Sequence, residues 1–138
     1  MTVIRKMFFS ATGTTEKIVT RIADRIAALS GFPQITSDFT LPVGRVAPPE
    51  IAHDEIVIFG VPVYAGRVPN VLLKYLATVK ADGAAAIPVV LYGNRNYDDG
   101  LIELRNILEG DGFFTFAAAA FIGEHSFSRI LAAGRPDE

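Results

Sequence analysis

Cysteine is absent from the 138-residue chain, and that absence removes disulfides, thiolate metal sites, iron–sulfur ligation and a cysteine nucleophile together. Two histidines, His53 and His125, lie far apart in sequence, so no zinc site is expected. Excess charge is also lacking: the formal net charge is −2, which gives no broad basic footprint for nucleic acid. No apolar run approaches the about 18 residues of a membrane-spanning helix. The opening Met1-Thr2-Val3-Ile4-Arg5-Lys6 does not read as a signal peptide. A soluble cytoplasmic protein, with neither membrane nor nucleic acid as partner, is the expectation. Hydrophobic residues are plentiful at 50%, which argues against disorder. The length suits a single domain, 1–138, with a core of its own.

The stretch Met7-Phe8-Phe9-Ser10-Ala11-Thr12-Gly13-Thr14-Thr15 organises the rest. Three apolar residues end a strand, a loop of hydroxyls with one glycine follows, and an amphipathic helix starts at once. A helix start leaves N–H donors without partners and carries partial positive charge, so a phosphate docked there is held by the backbone. Ser10, Thr12, Thr14 and Thr15 add side-chain donors, and Gly13 lets the chain approach a ligand closely. The nucleotide-hydrolase loop needs a Gly-Lys-Ser/Thr ending, and no lysine sits here. The dinucleotide fingerprint needs three glycines where only Gly13 is present. An ordinary strand-to-helix turn capped by threonine is the plainer alternative.

Thr2 to Phe9 reads as a strand and Thr14 to Leu29 as a helix, with Ile18, Ile22, Ile26 and Leu29 in one apolar stripe. Gly31 and Pro33 stop it. A polar edge strand follows near Gln34 to Phe39, then a long surface loop from Leu41 to His53. Glu55 to Gly60 is apolar without alternation, as in a parallel strand covered on both faces. Val61 to Arg67 reads as a loop, followed by a helix opened by Pro69 with Leu72, Leu73, Leu76 and Val79 inward. Ile87 to Tyr92 is a strand with Pro88 expected at its start, since a proline inside a central strand breaks the ladder. After the loop Gly93 to Tyr97, a helix capped by Asp98 or Asp99 runs to Gly110, burying Leu101, Leu104 and Leu108. Phe113 to Ile122 is the last strand, and Phe127 to Ala133 suits a turn or two of helix. Gly134-Arg135-Pro136-Asp137-Glu138 looks like the start of another. Strands alternating with helices give an α/β class with a parallel sheet.

Ser10-x-Thr12-Gly13-x-Thr15 resembles the flavodoxin phosphate loop, T/S-x-T-G-x-T, which holds the phosphate of FMN. Gly93-Asn94-Arg95-Asn96-Tyr97 is similar to the flavodoxin G-D-x-x-Y loop, whose tyrosine stacks on the flavin. The resemblance implies a doubly wound, five-stranded parallel sheet of order 2-1-3-4-5, flavodoxin-like, with the ligand where the strand order reverses. It implies FMN as cofactor, no metal, no catalytic side chain, and electron transfer through the flavin. The implied cofactor-binding residues fall in three loops. They are Ser10, Thr12, Gly13, Thr14 and Thr15, then Pro62, Val63, Tyr64, Ala65, Gly66 and Arg67, and finally Gly93, Asn94, Arg95, Asn96 and Tyr97. Tyr64 and Tyr97 would lie against the isoalloxazine ring, worth about 1 kcal/mol beyond buried area.

Together with Pro62-Val63-Tyr64, Tyr92-Gly93-Asn94-Arg95 and Gly123-Glu124-His125-Ser126, the first loop resembles a flavodoxin branch whose members often carry a C-terminal ferredoxin domain. That branch implies redox partner proteins, ferredoxin-type ones among them. Here the ferredoxin cysteines and the last helix of the fold are missing, so a free-standing short form and a cut piece both fit, the cut piece better. A sheet face left bare by that helix would favour a homodimer. Flavodoxins are typically acidic, whereas this chain is nearly neutral and places Arg67 and Arg95 in flavin loops. A guanidinium within about 6 Å would stabilise the reduced, anionic flavin and make the potential less negative. Glu124-His125-Ser126 does not make a hydrolase triad, since neighbours in an extended segment point to opposite sides. Two rival classes remain: an NAD(P)H-dependent flavin or quinone reductase, and a flavin-free interaction module of the same fold.

Overall fold

A computed structural model describes residues 2–10, 13–63, 68–92, 98–122 and 128–132. The chain runs β1 (Ile4–Phe8), α1 (Thr14–Ser30), β2 (Gln34–Asp38), a 3-10 turn at Pro42–Arg45, β3 (Ile56–Val63), α2 (Asn70–Leu76), β4 (Ala85–Tyr92), α3 (Asp98–Gly110), β5 (Phe114–Thr115), β6 (Ala117–Ile122) and β7 (Ser128–Ala132). The sheet order is β2-β1-β3-β4-β6-β7, with β5 also on β4. Every pairing is parallel except β6 with β7. The expected order 2-1-3-4-5 is therefore present, its fifth strand divided into β5 and β6.

Burial follows the side-chain alternation of the strands. Ile4, Phe8, Ile58, Ile87, Val89 and Ala119 line the face under α1, where Val19 and Ala23 meet them. Met7, Val57, Phe59, Val61, Val90 and Ala120 line the opposite face, covered by Leu72, Tyr75 and Leu76 of α2 and Leu101, Leu104 and Leu108 of α3. The unbroken apolar run of β3 thus supplies both cores, as a strand sandwiched between helices must. Phe39, at the end of β2, stacks on Phe59 and Tyr75 with ring centroids 5.3 and 5.0 Å away.

Two prolines sit where the sequence reading does not put them. β3 runs to Val63 rather than Gly60, with Pro62 inside it. Gly60 accepts a bond from Phe9 N–H, so its backbone faces β1. Pro62, two residues on, faces the same side, but β1 has already ended at Phe8 and no ladder bond is lost. Pro88 lies in the middle of β4, not at its start. Ala84 and Ala86 accept bonds from Phe114 and Phe116, so Pro88 turns its missing donor to the same side. That spot is the gap between β5, ending at Thr115, and the first β6 pair, Val89 with Ala119. The break in the fifth strand accommodates the proline.

The C-terminal stretch also differs from expectation. Ser128–Ala132 is a strand antiparallel to β6, with Ala117 opposite Ala132 and Phe121 opposite Ser128. An isolated one- or two-turn helix carries the full cost of nucleation, whereas an open sheet edge offers ready-made backbone partners. The expected helix start at Gly134–Glu138 lies outside the described residues.

Candidate functional site

The carboxyl ends of β1, β3 and β4 lie side by side, with Phe8 paired to Gly60 and Val63 to Tyr92. β1 has β2 on one side and β3 on the other, so the chain's winding reverses at β1. A crevice beyond the strand ends opens at such a point. The β1–α1 turn stands there.

Gly13 is the N-cap of α1, in a left-handed conformation (φ 87°) that glycine adopts without strain. Among the described residues, and apart from its chain neighbours, a Cβ built on it would meet nothing within 4 Å. The cap itself makes no side-chain hydrogen bond to the helix. Ser10 does that work from upstream: its Oγ accepts the N–H of Glu16 at 2.9 Å. Its hydroxyl hydrogen can then be given to a ligand, since an oxygen that accepts still has one donor. Thr15 is buried, 3% exposed, and packs beneath the turn against Gly60. At Gly60 a Cβ would collide with Val19 Cγ2 and come within 3.0 Å of Thr15 Cγ2, so only glycine lets α1 lie this close to β3. A helix start, a left-handed glycine and a hydroxyl form a chemically suitable cradle for a phosphate group.

The turn is braced by residues that sequence reading missed. Thr40, just past β2, accepts the N–H of Ser10 on its Oγ1 at 2.9 Å. Asp38 Oδ1 in turn accepts both the N–H and the hydroxyl of Thr40, at 2.9 and 2.5 Å. Asp-x-Thr is an Asx-turn pattern and was visible in the sequence; its contact with Ser10 was not, because the two are separated by a whole helix. Arg45 fixes the following turn, donating to the carbonyls of Phe39 and Thr40 at 2.7 and 2.8 Å, with its guanidinium 5.8 Å from the Phe9 ring centroid. Glu103 of α3 accepts the N–H of Val68 at 2.8 Å and so ties α3 to the start of α2.

Among the expected ligand residues, Ser10, Gly13, Thr14 and Thr15 come together in the β1–α1 turn. Pro62 and Val63 belong to β3, where Val63 is 7% exposed and packs in the α2–α3 core. Thr12, Tyr64, Ala65, Gly66, Arg67, Gly93, Asn94, Arg95, Asn96 and Tyr97 lie outside the described residues. Among the described residues, no cluster of His, Cys, Asp or Glu could hold a metal ion, and no helix is long and apolar enough to cross a membrane.

A doubly wound parallel sheet of this order, with helices on both faces, defines a flavodoxin-like fold. Solved structures agree. A flavodoxin of Streptococcus pneumoniae TIGR4 superimposes with a TM-score of 0.64 at 16% identity, over 87% of this chain and 83% of that one. A short-chain flavodoxin associated with a non-canonical PDU bacterial microcompartment gives 0.64 at 12% identity, over 88% and 84%. A flavodoxin from the domain Archaea gives 0.60 at 13% identity, over 83% and 78%. No protein-family model matches the sequence, and no curated protein does.

Proposed function

We propose that the protein binds FMN at the carboxyl edge of its sheet and carries electrons through it. The observation that carries this reading is the β1–α1 turn: a left-handed Gly13 beside the Ser10 hydroxyl, at the reversal of strand order. The likeness to flavodoxins supports the choice of FMN over other phosphate ligands. Bound there, the flavin would supply the redox chemistry, while the protein binds, orients and tunes it. Ser10 and the backbone of residues 13–15 would hold the phosphate. Tyr64 and Tyr97 would stack on the ring, and Arg67 and Arg95 would set the charge around it. In this reading the partners are small redox proteins, as in the ferredoxin-bearing branch that the loop motifs resemble.

The test is direct. Purified protein titrated with FMN is expected to quench flavin fluorescence to a one-to-one end point. A protein that gains no flavin absorbance and quenches nothing is the interaction module instead. With FMN bound, rapid bleaching by NADPH alone in stopped flow would overturn the carrier role in favour of a reductase.

A further inference from the structure

The Asp38–Thr40–Ser10 chain of hydrogen bonds has a direction, and that direction assigns it a role. A carboxylate can only accept, so Asp38 takes the hydroxyl hydrogen of Thr40 at 2.5 Å. The hydroxyl has a single hydrogen. Once that is committed, Thr40 Oγ1 faces Ser10 as an acceptor and holds its N–H at 2.9 Å. The carbonyl side of Ser10 is held as well, since Gly13 N–H points back to Ser10 O at 3.4 Å. With the backbone of Ser10 gripped at both ends, its Oγ is placed to accept from Glu16 N–H at 2.9 Å. One polar chain thus runs from the end of β2, through the turn, into the first turn of α1.

We infer that Thr40, oriented by Asp38, is a positioning residue for anion binding at the β1–α1 turn. This rests on reading that turn as the FMN phosphate site. Thr40 keeps the Ser10 N–H engaged inside the protein, so that the Ser10 hydroxyl, rather than its amide, is presented to the phosphate. A hydroxyl already accepting from a helix N–H is polarised and donates its own hydrogen more strongly. Neither Thr40 nor Asp38 needs to touch the ligand. Their effect is specific to phosphate, because the isoalloxazine ring would be gripped by other loops.

The experiment compares FMN with riboflavin, which keeps the ring and lacks the phosphate. Dissociation constants are measured by fluorescence quenching for the wild type, Thr40→Val and Thr40→Ser. Thr40→Val is expected to weaken FMN about tenfold, the effect of losing the part-buried bond that holds the Ser10 backbone in place. Riboflavin affinity should stay unchanged, and Thr40→Ser should recover FMN to within about twofold. Equal FMN affinity in wild type and Thr40→Val overturns the inference. So does an equal loss for both flavins with no rescue by serine, which is the behaviour of a merely structural residue. If Thr40→Val does not fold, Asp38→Ala is read the same way.

Should the wild type bind neither flavin, the FMN reading fails. The relay is then judged on inorganic phosphate alone, by melting temperature. A phosphate-induced rise in the wild type that Thr40→Val lacks and Thr40→Ser keeps supports it. The absence of that difference overturns it.

Discussion

Asp111 carries the clearest residue-scale consequence. It sits where α3 ends, half-buried, with its Oδ2 sealed from solvent and unpartnered. Burial pushes its carboxyl up to about 6, with Lys80 pulling weakly the other way. A carboxyl whose folded pKa exceeds its unfolded value stabilises the fold most when protonated. That contribution is complete below the ordinary value of 3.8 and is lost as pH rises to about 6. Asp111→Asn should therefore raise stability at pH 7.5 by roughly 1 kcal/mol, solvent limiting the effect at a half-buried site. It should change little at pH 4, and urea unfolding at the two pH values reads the difference. Arg5 and Glu55 form a pair each of whose members needs the other. Their side chains are 12% and 8% exposed. They meet at 2.6 and 3.0 Å, and the guanidinium also reaches Ser37 Oγ and the Glu50 carbonyl. Glu55→Ala strands a desolvated cation and should cost about 3 kcal/mol, while Arg5→Met with Glu55→Leu should recover most of it. The pair lies at the amino ends of β1 and β3, away from the candidate site, so ligand affinity should not follow the loss.

Among the elements, α1 is the one whose placement bears on the proposed site, and Gly60 sets it. Alanine there drives a methyl into Val19 and the underside of Thr15. The helix start must then lift, which should cost about 2 kcal/mol as overpacking and weaken FMN binding as well. Gly31→Ala is the control. It strains the left-handed C-cap of the same helix at its far end, so it should lower stability by about 1 kcal/mol and leave FMN affinity alone. A Gly60→Ala protein with full affinity would show that the turn is positioned independently of the helix. The elements themselves were largely legible from periodicity: the span of α1, the first half of β3 and the buried leucines of α2 and α3 stand where the apolar spacing puts them, but Leu29, read into the buried stripe of α1, is 76% exposed, and Val19 and Ala23 are the apolar residues that helix buries. The prolines and the C-terminal strand were not. Whether Pro62 or Pro88 breaks a ladder depends on which neighbour stands opposite its ring nitrogen, and Ser128–Ala132 becomes a strand because β6 has a free edge. Those are properties of strand order, which local pattern does not contain.

At the scale of the whole molecule, the passage from β1 to α1 was legible because an apolar run, a glycine and a helical apolar period follow one another directly in sequence. Its brace was hidden because Thr40 reaches Ser10 only once β1 and β2 pair. That same pairing fixes where a ligand can matter to the fold. Residues on β1, β2, α1 and β3 all converge on the turn, so a phosphate held there should stabilise the sheet's centre, not a loose appendage. Binding to the native state alone adds RT ln(1 + [L]/Kd), about 2.7 kcal/mol when free FMN is a hundredfold above its Kd. For a domain of 138 residues the unfolding entropy near the melting temperature converts that to a rise of roughly 9 °C. Riboflavin at the same concentration should give a smaller rise, because it leaves the helix start and Ser10 without their anion. Equal shifts from the two would mean that the ring loops alone do the holding. A melting temperature that FMN does not move at any concentration would separate the fold from the function proposed for it.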